Sequence, residues 1–525
     1  MDAVRRWTPA LATGLVAFLL ALPWAFAALV HPDELTLASD GLRALQGQVI
    51  YRDYFEFIGP LDSWFLAAAY ALGGATIMTG RVASALVVGL VAALFYRAAR
   101  LLSVSAGLAW LPGVLFALVP YAIVPGPSHH WLASAGVAIS LAAALAGALD
   151  AGVAWVVAGA GLALAALAVQ SEGFMLGLAL AGWTLADAWL GSAGPRLLPR
   201  RWAALALGLA LVLGPALGYL AWHGALGAAW ADTVRWPLTH YATAGGPNDF
   251  RFLGDLPLAA LVADPARTGL ATWYARVARV AVVELLPLGL TVVVAARAAD
   301  AALARWRRGE RWSPFAARLA LAGAVMAGSM AAAMKGRADY IHFVTALPAA
   351  LPVAVALAAA WARLPGPRGA RWLPTGALIV FAAACQLAWL DDARAVPAMW
   401  PTARGADPAY HDGPLATYMR THGRPGDRVA AFPFGGPSYF FGGLPPASRF
   451  SIMLEPARRY NDAAEYAACW AEVAANRPRF IVMTRMLPTE PAPPMPLRGY
   501  HQVAARGVSA FARDGTAFIY ERQAP

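Results

Sequence analysis

The chain has little charge and almost no lysine. Only 14% of its 525 residues are Asp, Glu, Lys or Arg, whereas 59% are hydrophobic, and the mean hydropathy is +0.54. A soluble domain carries about 25% charged residues, so the composition excludes a soluble globule and predicts a multi-pass membrane protein. Lys335 is the only lysine, so the net charge of +11 comes almost entirely from arginine. The arginines group in short segments between apolar runs, which is typical of cytoplasmic loops and not of a nucleic-acid-binding surface.

Cysteine and the common nucleotide-binding motifs are also scarce. The two cysteines are Cys385, inside an apolar run, and Cys469, in the polar C-terminal region. Since one lies in the membrane and the other outside it, we expect no intrachain disulfide.

The chain has no Walker A loop, no dinucleotide-binding glycine fingerprint, no His-Glu-x-x-His and no Gly-x-Ser-x-Gly, and no Asp-x-Asp pair on its predicted inner side. These absences argue against a nucleotide cofactor, a nucleotide-sugar donor and an ATP-driven mechanism.

About eleven apolar runs are long enough to cross a bilayer as helices. The first carries Arg5-Arg6 and Ala25-Phe26-Ala27, as a cleaved signal peptide would, but the run continues to Val30 and we expect a retained helix. The shorter run from Trp64 to Gly74 is predicted to lie along the membrane surface. The predicted spans cover residues 10–30, 79–98, 104–124, 131–149, 152–169, 174–190, 203–222, 277–296, 315–334, 341–361 and 372–390.

The arginines predict how these helices are oriented. With the N-terminus inside, every arginine cluster falls on the inner side, as the positive-inside rule requires. The inner clusters are Arg5 and Arg6, Arg97 and Arg100, Arg196 to Arg201, Arg297 to Arg311, and Arg363 to Arg371. The outer side then receives the first loop at 31–78, the turns at 125–130 and 170–173, the loop at 223–276, residues 335–340 and everything after 391. The resulting localisation is the cytoplasmic (inner) membrane, with the C-terminal region extracytoplasmic.

The composition changes after Asp391, where proline, charge and short alternating apolar runs replace the alanine-leucine stretches. We therefore predict two parts, an α-helical membrane domain over 1–390 and a small α/β domain over 391–525. The predicted helices of the second part are Pro414 to His422 and Ala463 to Asn476, and the predicted strands are Arg428 to Phe432, Arg479 to Thr484 and Ala517 to Glu521.

The first loop is polar, acidic and rich in aromatic residues, and it directly follows the first apolar run. Pro32 precedes Asp33 and Glu34, which predicts a helix that begins there, because proline suits the first helical position and carboxylates suit the positive end of the helix dipole. Two carboxylates would then lie at the membrane face. They could carry chemistry, or they could simply cap an interfacial helix.

Three further stretches of this loop carry a family resemblance. After Asp33-Glu34 come the segment 47–56 (GQVIYRDYFE), then Gly59-Pro60-Leu61, then a surface helix that ends in Gly73-Gly74. This pattern resembles the bacterial GT-C glycosyltransferases, most closely the dolichyl-phosphate-mannose-protein mannosyltransferase and aminoarabinose transferase type. The resemblance implies the GT-C fold, a sugar donor linked to a polyprenyl phosphate, and an essential acidic pair in the first outer loop. It is strongest over residues 10–100 and extends in helical layout to about 390.

The resemblance also implies roles for individual residues. Asp33 matches the catalytic aspartate and would act as a general base, because a phosphate leaving group needs no general acid. Glu34 would assist it, and Glu34 and Glu56 could orient the acceptor or hold Mg²⁺, Mn²⁺ or Ca²⁺; members of the family differ in their need for a metal. Arg52 and Tyr54 are expected to contact substrate.

The donor phosphate requires cations on the outer side. Lys335 and Arg337, followed by His342 and Pro348, resemble an outer basic motif that lies close to the donor in relatives. The same two cations could be ordinary interfacial anchors. Arg52 is a second candidate for the phosphate, with the same alternative.

Three other polar groups lie in or beside apolar runs. Glu172, in Gln170-Ser171-Glu172-Gly173, resembles the family's polar turn and is expected to line the cavity, because a carboxylate near lipid is costly unless it is used. His129 and His130 are predicted to be polar cavity residues and not a metal site. Glu284 either lines the cavity or pairs with Arg279.

Function therefore has one principal interpretation and two alternatives. The principal interpretation is an inverting glycosyltransferase that moves a sugar from a polyprenyl phosphate to a protein, lipid or glycan acceptor. A transporter or flippase would place its polar residues near the middle of the bilayer, whereas here they gather at one face. A polysaccharide polymerase or ligase would use a long outer loop with arginines, such as Arg235, Arg251 and Arg267. The Trp-Trp-Asp motif of oligosaccharyltransferases is absent.

Overall fold

The computed structural model shows a bundle of apolar helices with a small sheet domain at one end. It describes residues 2–26, 32–150, 152–191, 194–241, 285–336, 340–365, 367, 369–380, 414–433, 435–453, 463–485, 498–508 and 515–523. The first fourteen helices, numbered α1 to α14 in chain order, are Asp2–Ala21, Pro32–Leu45, Leu61–Gly73, Ile77–Leu101, Leu111–Leu118, Pro120–Ile123, His129–Ala146, Val153–Ala168, Gln170–Leu190, Leu198–Trp222, Leu226–Trp230, Leu286–Arg308, Pro314–Gly336 and Tyr340–Trp361. Residues 369–380 form α15.

Eight helices within the described residues are long and apolar enough to cross a bilayer. Their segments are Trp7–Phe26, Ile77–Leu101, His129–Ala146, Gln170–Leu190, Gly194–Trp222, Leu286–Arg308, Pro314–Met334 and His342–Trp361. All eight overlap predicted spans, and the chain is a multi-pass membrane protein. A ninth predicted span, at 152–169, is the shorter apolar helix α8, and the last predicted span is described only as far as residue 380.

Two predicted spans differ from the structure. The run 104–124 is not one helix, because Pro120 has no N–H to donate and disfavours helical geometry at Val119, so α5 ends at Leu118 and the short α6 follows. The run predicted at 277–296 is described from residue 285, and its helix continues through the expected arginine-rich loop to Arg308. Its alanines and arginines are strong helix formers, and Gly309 in left-handed geometry ends it.

Small residues allow the central helices to approach closely. A Cβ atom placed on Gly136 of α7 would lie 2.5 Å from the backbone nitrogen of Ala165 and 2.6 Å from the carbonyl oxygen of Gly161, both in α8. The Ser140 hydroxyl also donates to the carbonyl oxygen of Ala158 at 2.6 Å. Glycine packing and polar contacts of this kind hold membrane helices together where the hydrophobic effect cannot.

Gly136→Ala is therefore expected to destabilise the bundle by about 1–3 kcal/mol, since the added methyl group meets backbone and not a movable side chain. The matched control is Gly182→Ala in α9, where a Cβ would meet nothing within 4 Å and the gain in helix propensity is at most about 1 kcal/mol. Thermal midpoints in one detergent measure both. Equal midpoints for the two variants would contradict the close contact of α7 and α8.

Several arginines and tryptophans meet at one end of the bundle, here called the arginine end. The Arg201 guanidinium is buried; Nη1 lies 2.6 Å from Asp187 Oδ2, and the carbonyl oxygens of Ala148 and Asp150 accept from the same group. Trp312 donates to Asp187 Oδ1 at 2.9 Å. Arg97 lies over the Trp7 ring and Arg363 donates to the Ser103 carbonyl. The predicted inner segments that lie within the described residues are thus at the same end of the helix bundle.

The C-terminal domain is built on a four-stranded sheet of order β1-β2-β4-β3, in which β1 and β2 are parallel and the other pairs antiparallel. Its strands are Val429–Phe432, Phe480–Arg485, Tyr500–Val508 and Gly515–Arg522, and its helices α16 to α18 are Pro414–His422, Gly436–Gly442 and Ala463–Asn476. Both predicted helices and all three predicted strands are present; β3 and α17 were not predicted. The predicted boundary at 390 lies outside the described residues, so the exact division stays a prediction.

Candidate active site

The first loop begins with α2, which starts at Pro32 as predicted and carries Asp33 and Glu34 in its first turn. Helix α3 crosses it closely: a Cβ on Gly41 would lie 2.5 Å from Leu66 Cβ. A residue larger than glycine at 41 would push the two helices apart. Both helices lie at the end of the bundle opposite the arginine end, here called the loop end.

The two carboxylates of α2 have different surroundings. Glu34 is 2% exposed, and both of its oxygens are held by Arg81 of α4: Nε lies 2.5 Å from Oε1 and Nη2 lies 2.7 Å from Oε2. Arg81 is itself 1% exposed and also donates to the carbonyl oxygen of Ala25 at 3.3 Å. Asp33 is partly exposed. Asp33 is therefore the member of the pair that a substrate can reach, whereas Glu34 joins α2 to α4.

The loop between α6 and α7 completes the surroundings of Glu34. Gly126 has φ +99°, and a Cβ there would lie 2.9 Å from Glu34 Oε1, so only glycine fits. The Ser84 hydroxyl donates to the Gly126 carbonyl at 2.8 Å. The predicted outer turn at 125–130 thus meets the first loop directly.

A second acidic pair is buried deeper in the first loop. Asp40 of α2 and Glu56 are both almost fully buried, and they lie close enough for each carboxyl group to affect the pKa of the other. Burial raises the pKa of Asp40 to about 7, although Arg43 acts in the opposite direction. Burial, and then the charge of Asp40, raise the pKa of Glu56 well above its usual value. The pair can therefore hold a proton near neutral pH, since two ionised carboxylates in contact repel each other.

Stability is expected to fall as pH rises through this window. The folded protein keeps a proton on Asp40 between about pH 4 and pH 7, where the unfolded chain has released it, so the unfolding free energy declines by on the order of 2–4 kcal/mol over that range. Asp40→Asn cannot ionise and should flatten the decline in thermal midpoint between about pH 4 and pH 7. Asp53→Asn is the control, because pairing with Arg52 lowers the pKa of Asp53. An equally steep decline in Asp40→Asn would contradict the assignment.

Tyr54 and Arg52 are the other residues of the first loop that were predicted to contact substrate, and the structure shows what each of them contacts. Tyr54 is fully buried beneath Arg43, whose Cζ lies 4.7 Å from the ring centroid, so its ring is a packing element and the predicted substrate contact finds no support. Arg52 is exposed and pairs with Asp53 at 2.8 Å. Arg52 also donates to the His223 carbonyl at 3.3 Å, so it stays a candidate for binding an anionic substrate.

The expected metal ligands do not fit a metal ion. Both oxygens of Glu34 are bound to Arg81. Glu56 Oε1 accepts from the backbone N–H groups of Phe57 and Ile58 at 2.8 and 3.2 Å. In the part of the chain that the structure describes, no three His, Cys, Asp or Glu side chains are grouped as metal ligands would be. The assignment of Glu34 and Glu56 as a metal site is therefore not supported.

Helix α9 contacts the loop end through Gln170. Its Nε2 donates to the carbonyl oxygens of Phe57 at 2.6 Å and Thr233 at 2.9 Å, and so joins the first loop to the segment after α11. Glu172 lies in the first turn of the same helix, is partly exposed and accepts from the Ser329 hydroxyl at 2.5 Å. The predicted polar turn is thus the start of a helix, and Gln170 makes its contact with the first loop.

The structure describes only some of the residues that were predicted to lie close to the sugar donor. His342 is partly exposed, and its ring centroid lies 5.8 Å from that of His130, which lies 4.1 Å from that of His129. Lys335 is at the end of α13, but its side chain is outside the described part of the structure. Arg337 and Glu284 also lie outside the described residues. The phosphate clamp of Lys335 and Arg337 therefore stays a prediction.

Five charged residues of the loop end were not predicted as part of the site: Arg43, Arg81, Asp40, Asp232 and Arg449. For Arg81 a signal existed, because an isolated arginine at the outer end of a predicted span departs from the positive-inside pattern. Asp232 and Arg449 pair with each other across 217 positions, and no local pattern in the sequence reveals such a pair.

The arrangement defines a multi-pass membrane protein with an acidic, partly exposed site where its first loop meets the bundle. No protein-family model and no curated protein matches the chain. Its structure is similar to that of ArnT from Cupriavidus metallidurans bound to undecaprenyl phosphate, with a TM-score of 0.56 and 16% identity over 98% of both chains. It also aligns with the apo oligosaccharyltransferase of Archaeoglobus fulgidus, at 13% identity over 90% of this chain and 69% of that one. The TM-score of this second alignment is 0.49, which is too low to establish a shared fold.

The similarity to ArnT shows that the chain has the GT-C fold, as the resemblance in the first loop implied. The match extends over the sheet domain as well as the helices, since it covers 98% of the chain. At this identity the similarity establishes the fold and leaves the function to be inferred from the site.

Proposed function

We propose that the protein is a membrane glycosyltransferase that moves a sugar from a polyprenyl phosphate to an acceptor. The observation that carries the proposal is the difference between the two carboxylates of α2: Asp33 is partly exposed, while Arg81 holds Glu34 on both oxygens. One carboxylate at the mouth of a membrane helix bundle suffices when the leaving group is a phosphate. The GT-C fold, and the undecaprenyl phosphate bound to the structurally similar ArnT, support a donor of this class.

The chemistry assigns one step to Asp33. An acceptor hydroxyl oxygen attacks the anomeric carbon of the sugar as its proton passes to the Asp33 carboxylate. The bond between that carbon and the phosphate oxygen breaks, and polyprenyl phosphate leaves with the electron pair. Because attack and departure take place on opposite faces, the configuration at the anomeric carbon inverts.

The positive-inside rule assigns the two ends of the bundle to the two sides of the membrane. The arginine end would face the cytoplasm, and the loop end and the C-terminal domain would face outward from the cytoplasmic membrane. Lys335, Arg337 and Arg52 are then the proposed contacts of the donor phosphate. The acceptor is a protein, lipid or glycan at the outer surface. The expectation of a divalent cation stays a prediction, tested by adding Mg²⁺ or Mn²⁺ after chelation.

A donor panel tests the proposal. Purified protein in lipid nanodiscs is incubated with radiolabelled polyprenyl-phosphate mannose, arabinose or glucose and a membrane extract that supplies acceptors. We expect one donor to label an acceptor, and Asp33→Asn to label it at least about 100-fold more slowly. Labelling that Asp33→Asn leaves unchanged would remove the proposed base. Transfer from no carrier would reject the glycosyltransferase and favour a transporter.

A further inference from the structure

The C-terminal domain contacts the first loop through one arginine. Arg449 Nη2 lies 2.5 Å from Asp232 Oδ2 in the segment after α11, and the same nitrogen donates to the Tyr51 carbonyl at 3.1 Å. The guanidinium carbon lies 5.7 Å from the ring centroid of Phe55 and 5.5 Å from that of Phe450. A single side chain therefore joins its own segment to two others that are far away in the sequence.

The backbone of Arg449 makes the same connection. Its carbonyl oxygen accepts from the Phe55 N–H at 3.0 Å and from Arg43 Nη1 at 3.5 Å, both in the first loop. Its N–H donates to Glu472 Oε2 of α18 at 2.9 Å, which anchors it within the C-terminal domain. The position of Arg449 is thus determined on both sides of the contact.

Neighbouring contacts strengthen the junction. The Ser451 hydroxyl donates to Asp40 Oδ1 at 3.2 Å, so the buried acidic pair also faces the C-terminal domain. A Cβ placed on Gly436 of α17 would lie 2.6 Å from the Leu35 carbonyl carbon, which brings this domain against the helix that carries Asp33. Trp236 packs on Phe55 with ring centroids 5.3 Å apart.

We propose that Arg449 is a positioning residue that joins the C-terminal domain, the first loop and the Asp232 segment into one unit, and so holds the first loop, which carries Asp33, in place. This inference rests on the proposed function. Asp232 is 6% exposed, so loss of Arg449 would leave a buried carboxylate with its cation removed and would free the loop to shift. A shift of about 1 Å at a reacting group can cost on the order of 100-fold in rate.

Hydrogen exchange and kinetics together test the proposal. In Arg449→Ala, amide exchange in the segment 49–58 is expected to quicken by about 10-fold or more, because the side-chain contacts with Asp232, Tyr51 and Phe55 that hold the residue 449 carbonyl against the Phe55 amide are lost. We expect kcat for transfer to fall by about 10- to 100-fold. The KM for the polyprenyl donor should change much less than kcat, because two of the three proposed phosphate contacts, Lys335 and Arg337, lie outside the segment 49–58. Arg449→Lys keeps the charge and should restore part of both.

Two further variants make the result decisive. Arg424→Ala removes an exposed arginine of the same domain and should change neither measurement. Asp232→Asn keeps the size of the side chain and should shift exchange in the same direction as Arg449→Ala, which covers the case that Arg449→Ala does not fold. Unchanged exchange over 49–58 in both variants would overturn the proposal, as would faster exchange with wild-type kcat. If wild-type protein transfers no sugar, the proposed function fails, and the exchange experiment still decides whether Arg449 joins the three segments.

Discussion

Replacing Asp33 by asparagine is expected to lower kcat for sugar transfer by roughly 10²- to 10⁴-fold, with little change in KM for the donor. Asparagine has the size and shape of aspartate but cannot accept the proton of the attacking hydroxyl. Asp33 lies in the first turn of α2 and is partly exposed, so the substitution does not force a new polar group into the core. Initial rates over a range of donor concentrations separate the two kinetic constants.

The control for Asp33→Asn is Asp427→Asn, a carboxylate of the C-terminal domain whose Oδ2 accepts a backbone hydrogen bond from Arg424. Asparagine can keep that bond, so this variant should have wild-type kcat. The pH profile gives a second test: kcat of the wild type should fall at acidic pH as the base becomes protonated, and Asp33→Asn should lose that limb. A residual rate near that of the wild type would mean that another group takes the proton.

Local patterns in the sequence predicted the start of the helix that carries Asp33 and two strands of the C-terminal domain. The order Pro32, Asp33, Glu34 predicted a helix start, and α2 begins at Pro32. The strands predicted at 428–432 and 479–484 are each within one residue of β1 and β2. In both cases the signal lies in neighbouring residues, through capping and hydrophobic runs bounded by turn residues.

The elements that were missed owe their structure to distant contacts. Strand β3 begins Tyr500-His501-Gln502 and lies at the edge of the sheet, where His501 and Gln502 are exposed. It therefore has no continuous apolar run at its start. Helix α17 contains two glycines, at its first and last positions, and forms where Gly436 packs against Leu35. Propensity argues against a helix in such a segment, and the tertiary contact overrides it.

The partners of the site residues could not be predicted for the same reason. The residue types predicted a carboxylate pair at the membrane face. Which of Asp33 and Glu34 is accessible depends on Arg81, which is 47 positions from Glu34 in the sequence. The deeper acidic pair depended on how the first loop folds back, since Asp40 is on α2 and Glu56 follows it in an irregular segment. The residue types limit which side chains could act in the site, and the three-dimensional contacts determine which of these side chains are accessible.

Arg81→Leu is expected to be among the most destabilising single substitutions at the loop end. It leaves the Glu34 carboxylate 2% exposed with neither of the guanidinium hydrogen bonds that now hold it. Removing one partner of a buried ion pair costs about 3–5 kcal/mol, because the remaining charge is desolvated and uncompensated. Thermal midpoints in a single detergent would report the loss, and Arg424→Leu, at an exposed arginine, should change stability by no more than about 0.5 kcal/mol.

The double variant Glu34→Leu, Arg81→Leu separates stability from positioning. Replacing a buried ion pair by apolar residues is often neutral or stabilising, so the double variant should recover most of the midpoint that Arg81→Leu loses. Leucines cannot reproduce the two parallel hydrogen bonds that fix the start of α2 against α4, and Asp33 precedes Glu34 directly. We therefore expect kcat of the double variant to stay about 10- to 100-fold below that of the wild type, although its stability returns. Recovery of both quantities would mean that the ion pair serves folding alone, and failure to recover stability would mean that the site does not tolerate apolar packing at the mouth of the bundle.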